Sequence, residues 1–437
     1  MRRFTVSAVA VFAVALMLFA AASQAAVFKA GFAKVDITPQ KPTPMWGYGD
    51  RHDMLSVGTL DPLYAKALVI QAGGDKLALV GLDMGRSPTE AMMGRIRTAV
   101  KETSGVGYLM IVGSHTHYGP VIELLDKDGM GKGRFDDAVA YAAEFERKVT
   151  EVINQAAGKM QDVKMGWGAK EVGYNRNRHW KAEPKPMDKE LAVIRIDDMS
   201  GKPFAVIVNF AAHPTSLPSS QLLFSAEYPG QMMNAVEKDL STNCIFMQGA
   251  SGDMSTNKQG NDTIEAFGKV LAAEVLEVAK GIKTSVPAKP SIAGMDDRMS
   301  FVSRIDLHNP AVQALFKQAF FPELMATIEE FPGNEIPAQL TTILLDGQLA
   351  LVGGSGEFFC THSNRLKAQS PAEKTLFFGY CNGHDMYFPT VAATEQGGYG
   401  ADPQVSWVAI GAGEQMIDKA LANIEKLTGK PIVQAAK

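Results

Sequence analysis

The 437-residue sequence predicts a layered α/β fold, a mixed β-sheet domain flanked by helices. Three observations carry that prediction. Short apolar runs recur along the chain, helical patterns lie between them, and polar residues gather directly after several of the apolar runs.

Residues 1–26 are a different kind of sequence. Arg2 and Arg3 form a basic start, Val6 to Ala22 is a nearly unbroken apolar run, and Ser23-Gln24-Ala25 supplies small residues for cleavage. This composition predicts a secretory signal peptide, hence a protein exported to the periplasm or secreted, and a mature chain of residues 27–437. If uncleaved, the same run would tether the protein, although it is short for a stable span. Leu77 to Leu82 (LALVGL) then reads as a buried strand, Thr89 to Thr103 as an amphipathic helix, and Tyr108 to Val112 (YLMIV) as a strand entering a polar turn. Ala138 to Ala157 has helical periodicity without Gly or Pro. Leu191 to Ile196 and Phe204 to Phe210 read as strands split by Ser200-Gly201. Tyr228 to Leu240 and Ile264 to Ala279 predict helices around a strand at Cys244 to Met247. Pro287 to Leu307 is strand-like, and Pro310 to Glu330 predicts one more helix. Thr341 to Val352 predicts a hairpin about Asp346-Gly347, Thr375 to Phe378 a strand, and Ala412 to Leu427 a closing helix. Without internal repeat, low-complexity tract or linker, residues 27–437 read as one catalytic domain.

Charge narrows the function. The 43 basic and 47 acidic residues are spread along the chain, with no concentrated basic face, so nucleic acid is not the expected partner. No basic amphipathic helix points to a membrane surface. Phe320-Phe321-Pro322 and Leu222-Leu223-Phe224 read either as core or as segments for peripheral membrane contact. The odd count of three cysteines leaves at least one thiol free. Cys360 and Cys381 allow one pairing, and Cys244, Cys360 and Cys381 equally suit small buried positions.

Four strand-end segments hold the residues able to carry chemistry. Gly113-Ser114-His115-Thr116-His117 presents two imidazoles at i and i+2, which face the same way on extended backbone. Ala211-Ala212-His213-Pro214 places a histidine after another apolar strand. Gly249 to Asn257 carries small residues with Asp253 and Ser255. Gly356-Glu357, followed by Asn382, His384, Asp385, Tyr387 and Tyr399, adds a carboxylate of the kind that completes histidine-based zinc sites.

GFAKVDITP, GSHTHYGP, AAHPTS, GDMSTN, GE and a CN-x4-Y-x11-Y pattern occur in the order found in neutral non-lysosomal ceramidases, and across residues 30–427 the chain resembles that family's catalytic domain. The resemblance implies a Zn2+ ion held by His115, His213, Glu357 and Tyr387. It also implies His117 beside the metal, Arg176 facing the reacting carbonyl, Tyr399 at the oxyanion and Ser255 as an essential serine. Three departures accompany it. Thr256 stands where the family has proline, Asn175-Arg176-Asn177 replaces Asn-Arg-Ser, and Pro389-Thr390 replaces Thr-Thr. The chain is also expected to be without the family's C-terminal immunoglobulin-like domain.

The implied activity is zinc-dependent hydrolysis of an N-acyl amide, ceramide to sphingoid base and fatty acid. Zinc-activated water attacks, with His117 as general acid and Ser255 as positioner or nucleophile. Asp253 and Asp385 are candidates to orient ligands. The alternatives are an exported zinc amidase for a non-sphingolipid N-acyl substrate, a zinc phosphoesterase, and a non-catalytic binding protein.

Overall fold

The computed structural model describes residues 27–287, 289–319, 322–331 and 333–434. The signal-peptide reading of residues 1–26 and the Phe320-Phe321 pair lie outside these residues.

The first half of the chain supplies β1 (Phe28–Asp36), β2 (Tyr64–Ala72), β3 (Asp75–Leu82), α1 (Glu90–Ser104), β4 (Tyr108–Gly113) and α2 (Asp136–Ala157). There follow β5 (Gln161–Glu171), β6 (Asn175–Asn177), β7 (Glu190–Asp198), β8 (Pro203–Phe210), α3 (Glu227–Leu240), β9 (Asn243–Gln248), β10 (Met254–Thr256) and α4 (Ile264–Gly281). Among the described residues an eight-stranded sheet forms in the order β9-β8-β7-β5-β1-β2-β3-β4. Its two outer pairs, β9 with β8 and β3 with β4, are parallel, and the pairs between are antiparallel.

The C-terminal part adds β11 (Ile292–Val302), α5 (Pro310–Ala319), a 3-10 segment (Pro322–Glu330), β12 (Glu335–Leu345), β13 (Leu349–Gly354), β14 (Glu357–Phe358), α6 (Cys360–Gln369), β15 (Lys374–Phe378), β16 (Tyr387–Phe388) and α7 (Ala412–Thr428). Strands β11-β12-β13-β15 form a second sheet. The two sheets face one another. Leu77, Leu79, Met110, Ile207 and Met247 of the large sheet share one apolar core with Ile343, Leu351 and Phe378 of the small one. The alternate residues of β3, Ala78, Val80 and Leu82, pack on the other face against Met93, Ile96 and Phe145 of α1 and α2. Burial on both faces explains why such strands read as unbroken apolar runs. Helix α7 covers the outer face of the small sheet through Met416, Ile417, Ala420 and Ile424. The mixed α/β architecture is as expected, in four layers: helices, sheet, sheet, helix.

Two differences have physical reasons. The helix expected over 310–330 is divided into α5 and the 3-10 segment, and Pro322 at the segment's start cannot continue an α-helical ladder. Strands β1, β2 and β5 at the centre of the large sheet were not expected, because Lys29, Lys34, Lys66 and Lys170 interrupt their apolar pattern. Of the two readings open for the cysteines, burial is the one found: Cys360 and Cys381 do not pair, and Cys244, Cys360 and Cys381 are free and buried. Leu222-Leu223-Phe224 is core. Phe224 is buried, and Leu222 packs against the same cluster. No helix of the described residues is long and apolar enough to cross a membrane.

Candidate active site

The loops that leave β4, β8, β9 and β13 meet at one end of the sheets, where strand ends converge in layered α/β folds. The β4 loop is drawn back by hydrogen bonds from Ser114 N to Leu82 O and from His115 N to Met84 O, and His115 takes a positive φ of 66°. That conformation is disfavoured for a residue with a side chain, and such strain gathers at functional sites. His213 leaves β8 and bridges Ser255 of β10, its N–H donating to Met254 O. Glu357 opens β14, which pairs in parallel with β16 so that Glu357 lies opposite Tyr387. A Cβ on Gly252 would lie 2.5 Å from Glu357 O, so only glycine lets these two loops touch.

Here the imidazoles converge. His115 Nε2 lies 3.0 Å from His213 Nε2 and 3.3 Å from His117 Nε2, and Glu357 Oε2 lies 3.4 and 3.2 Å from the first two. His115 Nδ1 donates to Gly85 O and His213 Nδ1 to Ser251 O, each at 2.7 Å. With their protons committed to carbonyls, the two histidines turn Nε2 lone pairs toward each other and toward a carboxylate. Facing lone pairs repel unless a cation lies between them. The spacing is close to the edge of a tetrahedron around an ion at about 2.0–2.2 Å from nitrogen and oxygen ligands, roughly 3.3–3.6 Å. His117 Nδ1 and His384 Nε2 are buried without a hydrogen-bond partner. The donor set therefore fits a divalent metal, in two groups: His115, His117 and His213, and His115, Glu357 and His384.

Electrostatics agree. Burial, the Arg178 guanidinium and His115 push the His213 imidazole down to about 3, and burial with His115 and His213 holds His117 well below its usual value. Burial alone would raise Glu357, but the surrounding imidazoles hold it well below the ordinary carboxylate range. At neutral pH His117 and His213 are neutral and Glu357 is ionised, as metal binding requires.

Of the residues singled out from sequence, His115, His117, His213 and Glu357 come together. Tyr387 stands beside them, its hydroxyl 3.1 Å from Arg178 Nη2. Tyr399 is 64% exposed at the mouth of the cavity, its ring 5.6 Å from that of Tyr387. Ser255 is partly buried on β10, opposite Arg176 on β6. Arg176 itself is exposed, and its Nε donates to Thr256 O rather than into the cluster. Arg178 reaches the cluster instead: although exposed along its length, it places Nη2 at 2.9 Å from His213 Nε2 and 3.0 Å from Gly252 O. β6 ends at Asn177, so Arg178 escapes the strand alternation that turns Arg176 outward. The Asn-Arg pair is repeated in Asn175-Arg176-Asn177-Arg178, and the second arginine is the one whose guanidinium reaches the cluster.

Asp253 accepts from Asn177 Nδ2 at 2.6 Å and Cys360 N at 2.7 Å, tying three loops together without bonding a site histidine. Asp385 bonds Ser355 Oγ in the same supporting way. Tyr380 was not singled out. Its ring stacks on His115 at 4.1 Å, and its hydroxyl lies 3.3 Å from Glu357 Oε2.

A cleft of about 110 Å³ opens onto His117, Glu357, His384 and Tyr387. Met45, Phe316, Met325, Val405 and Trp407 give the cleft an apolar lining. Arg86 and Glu123 line it as an ion pair whose second acid, Glu330, belongs to the 3-10 segment.

A profile described as neutral/alkaline non-lysosomal ceramidase, N-terminal, matches residues 28–273, which include His115, His117, His213 and Ser255. The neutral ceramidase of Pseudomonas aeruginosa is 22% identical over 500 residues, covering 92% of this chain and 72% of its own length. Neutral ceramidase B of Dictyostelium discoideum is 26% identical over 172 residues, 35% of this chain and 24% of that protein. The solved neutral ceramidase structure from Pseudomonas aeruginosa superposes with a TM-score of 0.73 at 17% identity, covering 94% of this chain and 76% of that one. A ceramidase complexed with C2 gives the same TM-score.

Proposed function

The chain belongs to the neutral/alkaline non-lysosomal ceramidase family, and from that premise we propose that it is a zinc-dependent hydrolase of N-acyl amides whose substrate is ceramide, cleaved to sphingoid base and fatty acid. The observation that carries this reading is the convergence of His115, His213 and Glu357, lone pairs inward, beside a cleft with an apolar lining.

In this reading His115, His213, Glu357 and Tyr387 hold Zn2+, which when bound supplies Lewis acidity and makes water acidic enough to attack at neutral pH. The protein's own residues do the rest. His117, kept neutral by burial, accepts a proton at Nε2 and returns it to the departing amine. Arg178 takes the carbonyl-facing role that the resemblance assigns to Arg176, because its guanidinium reaches the cluster. Tyr399 at the mouth supplies a second donor to the oxyanion, and Ser255 beside His213 positions the substrate. The apolar wall formed by Phe316, Met325 and Trp407 takes the acyl chain and keeps water from it.

The basic start and apolar run of residues 1–26 support export. Met54, Leu55, Val57 and Leu60 are exposed and follow the cleft-lining His52 in the chain, which supports peripheral contact with the membrane that holds such a lipid.

Fatty-acid release from ceramide and from a panel of other N-acyl amides tests the reading, with His213→Ala as control. Release from ceramide that the variant loses is the expected result. Activity confined to non-lipid amides would discard the sphingolipid assignment, and no release from any amide by the zinc-loaded protein would discard the hydrolase.

A further inference from the structure

The family resemblance gives His384 no role, yet it stands in the second donor group with His115 and Glu357, their ligand atoms within 4.8 Å of one another. The residue is only 4% exposed, and its Nε2 has no hydrogen-bond partner. That nitrogen lies 3.3 Å from Glu357 Oε1. The other carboxylate oxygen, Oε2, faces His115 and His213. Glu357 is thus flanked by imidazoles on both of its oxygens.

The ring is held in this attitude. Trp46 meets it edge-on with centroids 5.3 Å apart, and Tyr380 stacks near it at 6.1 Å. Its chain neighbours are both anchored, Gly383 N to Ser87 Oγ at 2.7 Å and Asp385 N to Ser355 O at 2.8 Å. A buried imidazole nitrogen is destabilising unless something satisfies it. A histidine kept only for packing would find its hydrogen bond elsewhere. Aimed at a carboxylate within a ring of donors, this one is placed to bind the same cation.

We propose that His384 is a metal ligand of this chain: the ion held by His115 and Glu357 also takes His384 Nε2, so that Glu357 lies between imidazoles on either side of it. A set of imidazoles with one carboxylate suits zinc and its borderline neighbours rather than a hard ion such as calcium. The inference rests on the metal-dependent reading above but requires only that an ion bind, not that an amide be cleaved.

The test uses the full chain loaded with Co2+ and then with Zn2+, comparing wild type with His384→Ala and the size-retaining His384→Gln. The visible bands of the cobalt protein are expected to shift in both variants, X-ray absorption of the zinc protein to count one imidazole fewer, and zinc affinity to fall at least tenfold. Bands, imidazole count and affinity unchanged in the variants, while His213→Ala loses the ion, would overturn the proposal. So would a wild-type chain that takes up no cobalt. Shifted bands in a protein that cleaves no amide would keep His384 as a ligand and discard the hydrolase. Ceramide cleavage with unshifted bands would do the reverse.

Discussion

Most of the histidine–glutamate cluster is legible in the placing of three histidines. His115, His117 and His213 follow apolar strands, and strand ends are where rigid backbone delivers side chains to a common point. Arg178 was not readable, because its side chain turns inward only where β6 stops, and that boundary leaves no mark in the residue pattern. Arg178→Ala is expected to lower kcat/KM for amide hydrolysis about 10²–10³-fold, the typical cost of one oxyanion donor. Arg176→Ala should stay within about twofold of wild type, and steady-state kinetics of the two variants separate these outcomes. Acid sensitivity belongs at this scale as well. The folded His213 imidazole is held down to about 3, while an unfolded histidine titrates near 6.5. Between these values the unfolded chain binds the extra proton, so this contribution to stability is whole above about pH 6.5 and is lost as pH falls toward 3. Denaturation midpoints of the metal-free protein, measured from pH 7.5 to 4, should decline over that window, and more steeply than those of His213→Gln.

Elements were legible where local chemistry and burial agree. The hairpin expected about Asp346-Gly347 forms, with both residues in the left-handed region at φ 52° and 66°. Helix α4 starts after Thr263, whose hydroxyl accepts from Ala266 N at 3.1 Å. Thr263→Ala is expected to cost about 1 kcal/mol in urea denaturation and to leave specific activity unchanged, since the cap is remote from the cluster. The strands at the centre of the large sheet were illegible for the opposite reason. In β2, Lys66 is buried, its ammonium satisfied by Glu237 at 2.7 Å and by Cys244 O, partners 171 and 178 residues away in sequence. No pattern within the strand announces such long-range pairing.

At the scale of the whole molecule, the 3-10 segment is fastened to the large-sheet side by one buried ion cluster. Arg86 is 1% exposed and bonds Glu330 through both Nη atoms, at 2.9 and 3.0 Å, while Glu123 approaches Nη1 at 3.3 Å. Removing one acid leaves a buried guanidinium undercompensated, so Glu330→Ala is expected to destabilise the fold by about 3 kcal/mol and loosen the apolar wall that Met325 lines. The expected reading is a lower denaturation midpoint together with a higher KM for long-chain substrates. Layer architecture followed from the alternation of runs and helices, but the stacking of two sheets did not, because a strand buried on both faces looks the same beneath a helix as beneath another sheet. On the proposed reading, a divalent ion in the His115–His213–Glu357 cluster is required for amide cleavage. The most direct measurement removes metal with a chelator and returns Zn2+ stepwise while following fatty-acid release from ceramide. This requirement predicts activity that vanishes in the stripped protein and returns in proportion to zinc, reaching its maximum when the cluster is filled. Full activity in protein shown to be free of metal would contradict it.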